Sequence, residues 1–131
     1  MIGYVTVGTN DLEKAARFYD AIAAEMGVGR MMEFDTFIAR GKWDGGAGVA
    51  ATKPFDGEKA TVGNGTMVAL QAENRDQVKR LYDIALANGG SDEGEPGPRG
   101  EPDENGMQFY AAYFRDPDGN KLNAFLMDKV G

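Results

Sequence analysis

"RFYDA" at residues 17–21 returns as "RLYDI" at residues 80–84, an offset of 63 positions. The same offset carries Val5 onto Val68, Ala24 onto Ala87 and Gly27 onto Gly90. Matches that share one offset and fall at equivalent points of equivalent elements mark an internal repeat. The chain therefore reads as two copies of one unit, and the fold follows from what one unit contains.

The first unit opens with a strand over residues 2–8, "IGYVTVG". "TND" then offers helix capping before "LEKAARFYDAIAAEMG", where Leu12, Ala15, Tyr19, Ile22 and Met26 recur at helical spacing. Gly27 ends that helix. Three short strands follow, at about 30–34, 36–41 and 47–53, with the turn "WDGGAG" between the last two. The pattern restarts with a strand at 65–72, a helix at about 74–88 stopped by "NGG", and strands near 92–97, at 107–115 and at 121–127. "DPDGN" joins the last two as a turn. The expected fold is α+β: one domain of two βαβββ modules, about 1–53 and 64–131, joined by a linker at 54–63. Each module would curl a mostly antiparallel sheet around a concavity, with its helix on the outer face.

Side chains along a strand alternate between faces. Tyr4 and Thr6 are thus expected to look into the concavity while Val5 and Val7 pack on a helix. Met67 and Ala69 would look inward, with Val68 and Leu70 packed. Phe109, Ala111 and Tyr113 share a face, and Lys121, Asn123 and Phe125 lie opposite the packed Leu122, Ala124 and Leu126. A half-barrel lined by polar and aromatic groups is a natural small-molecule site.

Composition removes whole classes of chemistry. The 131 residues include no cysteine and no histidine. Disulfides, thiolate sites, serine–histidine relays and histidine-based zinc sites are therefore excluded. The formal charge of −7 opposes phosphate-backbone binding, so no nucleic-acid partner is expected. That field suits a cationic or neutral small ligand better. No apolar run approaches the ~20 residues of a membrane span, so no membrane partner is expected. The N-terminus has no basic region ahead of an apolar stretch, which makes a cytoplasmic location the expectation.

The paired modules, with "VGTNDLEKAARFYDAI", "KPFDGEKATVGNGTMVAL" and "YAAYFRDPDGNKLNAF", resemble the vicinal oxygen chelate superfamily. That superfamily comprises glyoxalase I, bleomycin-resistance proteins, fosfomycin-resistance thiol transferases and extradiol dioxygenases. The resemblance runs over nearly the whole chain, and "DPDGNK" with "PFDG…GNGT" are its most specific pieces. It implies a homodimer and a pocket made of Tyr4, Thr6, Met67, Ala69, Phe109, Tyr113 and Asn123. Metal-bearing members carry histidine, histidine and glutamate where this chain has Tyr4, Met67 and Asn123. A phenol, a thioether and a carboxamide are poor ligands for the divalent ions of such sites. The expected fourth-strand position, within "GAGVAATK", offers no acid or amide.

The resemblance thus implies a metal-independent protein that binds or sequesters a small molecule, with no cofactor and no assigned catalytic residue. The alternative is a lyase or isomerase of the glyoxalase I type with a divergent site. That site would use Tyr4 or Tyr113 as acid–base group, or a metal on loop carboxylates such as Glu33 or Asp35. A third reading is an interaction module whose cavity has closed. Phe34, Phe37 and Trp43 are read as a lid or as core or interface packing, Arg115 as an anion holder or a local ion-pair partner, and "SDEGEPGPRGEPDENG" as a solvated loop.

Overall fold

The computed structural model describes all 131 residues. In chain order they form β1 (Tyr4–Gly8), α1 (Leu12–Glu25), β2 (Gly29–Phe34), β3 (Phe37–Gly41) and β4 (Gly48–Thr52). The second set is β5 (Val68–Gln71), α2 (Arg75–Ala87), β6 (Ser91–Arg99), β7 (Met107–Arg115) and β8 (Lys121–Lys129). The repeat holds at the level of topology. One four-stranded sheet runs β1-β4-β3-β2 and the other β5-β8-β7-β6. In each, the first strand lies parallel to the last and the remaining pairings are antiparallel. The two sheets stay separate, so the barrel is open along the edges of β1 and β5.

The helices begin and end alike. The Asp11 carboxylate accepts from the Lys14 amide at 3.1 Å, and the Asn74 carboxamide oxygen accepts from the Gln77 amide at 2.8 Å, so each satisfies an orphan donor of its first turn. At the other end Gly27 and Gly89 take φ of 74° and 94°. That left-handed backbone lets Val28 and Gly90 donate back to Ala23 and Ala85, at 3.0 and 2.9 Å. Neither helix is long and apolar enough to cross a membrane.

Expected and observed elements differ in two places. The strand predicted at 65–72 starts only at Val68, because the chain turns through 63–66, where the Thr66 amide donates to the Gly63 carbonyl at 3.2 Å. Met67 therefore precedes the strand. The strand expected near 92–97 is present and longer, Ser91 to Arg99, with register shifts around Gly94, so the acidic stretch also read as a solvated loop is a connection only over residues 100–106.

Both modules share one core. Phe18, Val78, Leu81, Phe114 and Leu122 are fully buried in it, and the Phe18 and Phe114 rings meet across the module boundary at 6.4 Å. A buried polar joint sits beside them. The "DPDGN" turn presents Asp116, 3% exposed, whose carboxylate accepts from the Asp118 and Asn120 amides at 2.9 Å each. It also accepts from the Asn120 carboxamide at 2.9 Å and from the Tyr19 hydroxyl of α1 at 2.6 Å. Asn120 in turn donates to the Gly8 carbonyl at the end of β1, at 2.8 Å, and Asp118 accepts from the Asn10 amide at 2.9 Å. The turn is thus a clamp between modules.

Burial, and then the charge of Asp116, push the Tyr19 phenol well above its ordinary value of 10. A raised value stabilises the fold fully below about pH 10, and the contribution fades as pH climbs through the folded-state value. Tyr19→Phe is expected to cost about 1–2 kcal/mol in urea unfolding at neutral pH, a deficit that shrinks above about pH 10. Asp116→Ala, which strands several buried donors at once, should cost about 3 kcal/mol or more. Equal losses for the two variants would contradict the clamp.

Candidate functional site

The faces turned away from the helices carry the candidate residues, and the structure divides them among three surroundings. On the first sheet, register places Tyr4 and Thr6 on one face with Ala39, Ala50 and Phe37. Ala39 and Ala50 are fully buried although no helix covers that face. The Tyr4 and Phe37 rings lean over them and meet edge to face at 5.6 Å, with Phe34 a further 6.1 Å from Phe37. Tyr4 stays 46% exposed and Phe34 63% exposed, so the aromatic roof is itself wet. Trp43, 72% exposed, stands apart in the turn before β4.

The second surrounding is a crevice of about 610 Å³ along the unpaired edges of β1 and β5. Val5, Tyr19, Ile22 and Met26 line it from the first module, and Met67 and Leu70 from the second. Met67 and Ala69 belong here, whereas Tyr4 and Thr6 do not. Met67 thus lines a space rather than filling one, with 41% of its surface exposed.

The third is the concave face of the second sheet, where Phe109, Tyr113 and Asn123 come together. Register aligns Ala69, Asn123, Tyr113 and Gly94 in one row across four strands. The next row is Gln71, Phe125, Ala111 and Gly97. Phe109 and Phe125 stack at 5.6 Å with 18° between their planes, making an apolar platform over the buried Ala111. Asn123 is only 2% exposed, and its Oδ1 accepts no hydrogen bond from any group of the protein. An orphan buried acceptor costs about 1–3 kcal/mol, so its persistence asks for a reason. Gln108, out of phase with this face, instead accepts from Arg75 at 3.1 Å on the helix side.

Two cations frame Tyr113, and sequence reasoning gave neither a role. The Arg99 guanidinium carbon lies 5.4 Å from the ring centre and the Lys121 Nζ 5.5 Å from it. Arg99 lies across two glycines. A Cβ on Gly94 would sit 3.2 Å from its Nη2, and one on Gly97 would sit 3.3 Å from its Nη1. The guanidinium donates to the Glu95 and Gly97 carbonyls at 2.7 and 2.9 Å. The available signal was the spacing of Gly94, Gly97 and Arg99 in and just beyond the strand expected near 92–97. Arg115 pairs locally with Glu93 at 2.7 Å.

A divalent metal does not fit the residues present. Tyr4, Met67 and Asn123 sit in different surroundings and supply a phenol, a thioether and a carboxamide. Nowhere do three or more histidine, cysteine, aspartate or glutamate side chains converge as ligands. Glu33, the loop carboxylate of the alternative site, is engaged by Arg30 at 2.8 Å.

Comparison with known proteins agrees with this architecture. The sequence profile of the Glyoxalase/Bleomycin resistance protein/Dioxygenase superfamily matches residues 1–124. A glyoxalase/bleomycin resistance protein from Albidiferax ferrireducens T118 is 35% identical with a TM-score of 0.83, over 95% of this chain and 98% of that one. A family enzyme from Burkholderia phytofirmans PsJN is 17% identical with a TM-score of 0.73, over 94% and 95%. A lactoylglutathione lyase from Agrobacterium tumefaciens is 17% identical with a TM-score of 0.64, over 95% and 92%. The last two show likeness of fold. No curated protein matches the chain.

The two buried asparagines of this module should respond oppositely to loss of their amide. Asn123→Leu removes an unpaired acceptor and is expected to raise stability by about 1 kcal/mol. Asn120→Leu breaks the clamp and should cost about 2 kcal/mol or more. Urea titrations of both variants check the pair, and a destabilised Asn123→Leu would mean that its oxygen is satisfied within the protein.

Proposed function

Because the chain belongs to the glyoxalase/bleomycin resistance protein/dioxygenase superfamily, we propose that it binds and sequesters a small molecule without a resident metal. The concave face of the second sheet is the binding surface. The observation that carries this reading is the orphan Oδ1 of Asn123, a buried residue that shares one row of this face with Tyr113 and Ala69. A group that stabilised only the empty fold would be expected to be apolar or paired there. A ligand donor towards which the carboxamide turns gives the oxygen its partner, and the Phe109–Phe125 platform supplies apolar contact beside it.

Sequestration is favoured over turnover by the chemistry of the same face. It holds no carboxylate, imidazole or thiol poised as a base or nucleophile beside Asn123. Native mass spectrometry of the purified chain should reveal a co-purified small molecule that Asn123→Leu loses. The hemithioacetal of methylglyoxal and glutathione should be left unconverted, with or without added zinc, nickel or manganese. Metal-dependent conversion would overturn the proposal in favour of a lyase.

A second copy of the chain is the expected cover for the first sheet. Tyr4, Phe34 and Ile2 leave apolar surface exposed there and at the neighbouring N-terminus. The two modules share one strand order, so a two-fold partner can set its second sheet opposite the first sheet of its mate. Phe34→Asp, at a position already 63% exposed, should leave folding within about 0.5 kcal/mol and shift sedimentation towards a monomer. Unchanged sedimentation at the mass of one chain in both proteins would refute self-association.

A further inference from the structure

We infer that the concave face of the second sheet takes a planar aromatic carboxylate, drawn to Arg99 and Lys121 beside the Tyr113 ring, with an N–H or O–H donor towards Asn123. The inference rests on the binding reading above and names its ligand class.

The whole chain is acidic, at −7, which would favour a cationic ligand if the field were uniform. Locally it is not. Arg99 and Lys121 both approach the Tyr113 ring, and neither lies within ion-pair distance of a carboxylate. Arg115, one row away, does have its carboxylate in Glu93. Two cations without an internal ion pair on one half-buried face favour an anionic group there.

Positioning of the guanidinium supports this. An arginine on an exposed strand ordinarily ranges over many rotamers, which costs entropy when it is fixed. Here Gly94 and Gly97 leave a trough where Cβ atoms would stand, and the guanidinium lies in it with two carbonyls as anchors. Nε makes no hydrogen bond within the protein and remains available to a ligand. A preorganised fork of this kind suits the planar carboxylate group.

The flatness of the ligand follows from its other neighbours. Phe109 and Phe125 present nearly parallel rings, 18° apart, and Tyr113 stands in the adjacent row. A flat ring can stack on this platform where a puckered one contacts it only in part. The acceptor at Asn123 then selects for a donor on the ring, since a buried acceptor left unmet discriminates strongly against ligands without one.

The test uses the full chain and four probes of similar size: 2-aminobenzoate, neutral 2-aminobenzamide, cationic benzamidine and puckered cyclohexanecarboxylate. Affinities are read by NMR titration to about 10 mM, the range expected of fragments this small. The signals followed are the Asn123 side-chain amide and the Arg99 Nε–H. The expected result is that 2-aminobenzoate binds roughly tenfold or more tighter than the other three and weakens with added salt. Arg99→Gln and Lys121→Gln should each remove most of that preference, whereas Lys79→Gln on α2 should leave it intact.

Equal binding of the amide, or preference for benzamidine, overturns the anion while leaving small-molecule binding in place. Equal binding of cyclohexanecarboxylate overturns the requirement for a flat ring. If no probe moves the Asn123 signals, the ligand class is wrong, and the binding reading is judged separately by the co-purified ligand.

Discussion

Four hydrogen bonds converge on the buried carboxylate of Asp116, and the relation between the two modules depends on them. Two of the donors are backbone amides of its own turn, one is the carboxamide of Asn120, and one is the hydroxyl of Tyr19 on the other module's helix. A buried charge without such partners would be strongly destabilising, and α1 supplies the one partner that the turn itself does not. Through Asn120 the same turn holds the end of β1. The carboxylate therefore ties the β7–β8 hairpin, which carries Tyr113, Lys121 and Asn123, to the first module. What looks like a local turn signal is a long-range contact that ties the face carrying Tyr113 and Asn123 to the first module.

Both sheets solve the same packing problem on the face that no helix covers. Alanines at 39 and 50 in one, and at 111 in the other, leave shallow floors that aromatic rings close from the side. The solutions then diverge. On the first sheet the roof is apolar and exposed, which is the character of an interface. On the second, the floor includes an amide without a partner and the rim carries two unpaired cations, which is the character of a ligand site. One repeated unit has thus been given two kinds of surface.

Most of the architecture was legible in the sequence because it rests on local signals. Periodic apolar residues, capping residues and terminal glycines specify each βαβββ unit, and the "RFYDA"/"RLYDI" offset shows that there are two. The expected strands at 107–115 and 121–127 place Phe109, Tyr113 and Asn123 on one face by alternation, and the structure has the same phase. Alternation failed as a guide at Met67, where a glycine-bounded turn delays the strand. Three things depend on distance rather than spacing. These are the clamp at Asp116, the crevice between unpaired edges, and the trough that seats Arg99. The last stayed hidden even with a strand expected near 92–97, since a strand assignment does not show which side chain lies over Gly94 and Gly97.

The substitution at position 123 and the cations at 99 and 121 make sense together. A carboxylate at position 123, buried as Asn123 is and without a metal to neutralise it, would carry a desolvation cost of several kcal/mol. Arg99 and Lys121, which both approach the ring of the neighbouring Tyr113, would be drawn to such a charge and spent on it. The carboxamide keeps nearly the same shape with no charge, and so leaves both cations without an internal partner. Its oxygen remains an acceptor, so an incoming molecule must bring a donor as well as an anion. On the proposed reading, the positive charge that organises this face thus comes from side chains, and the uncharged carboxamide leaves that charge to the incoming molecule.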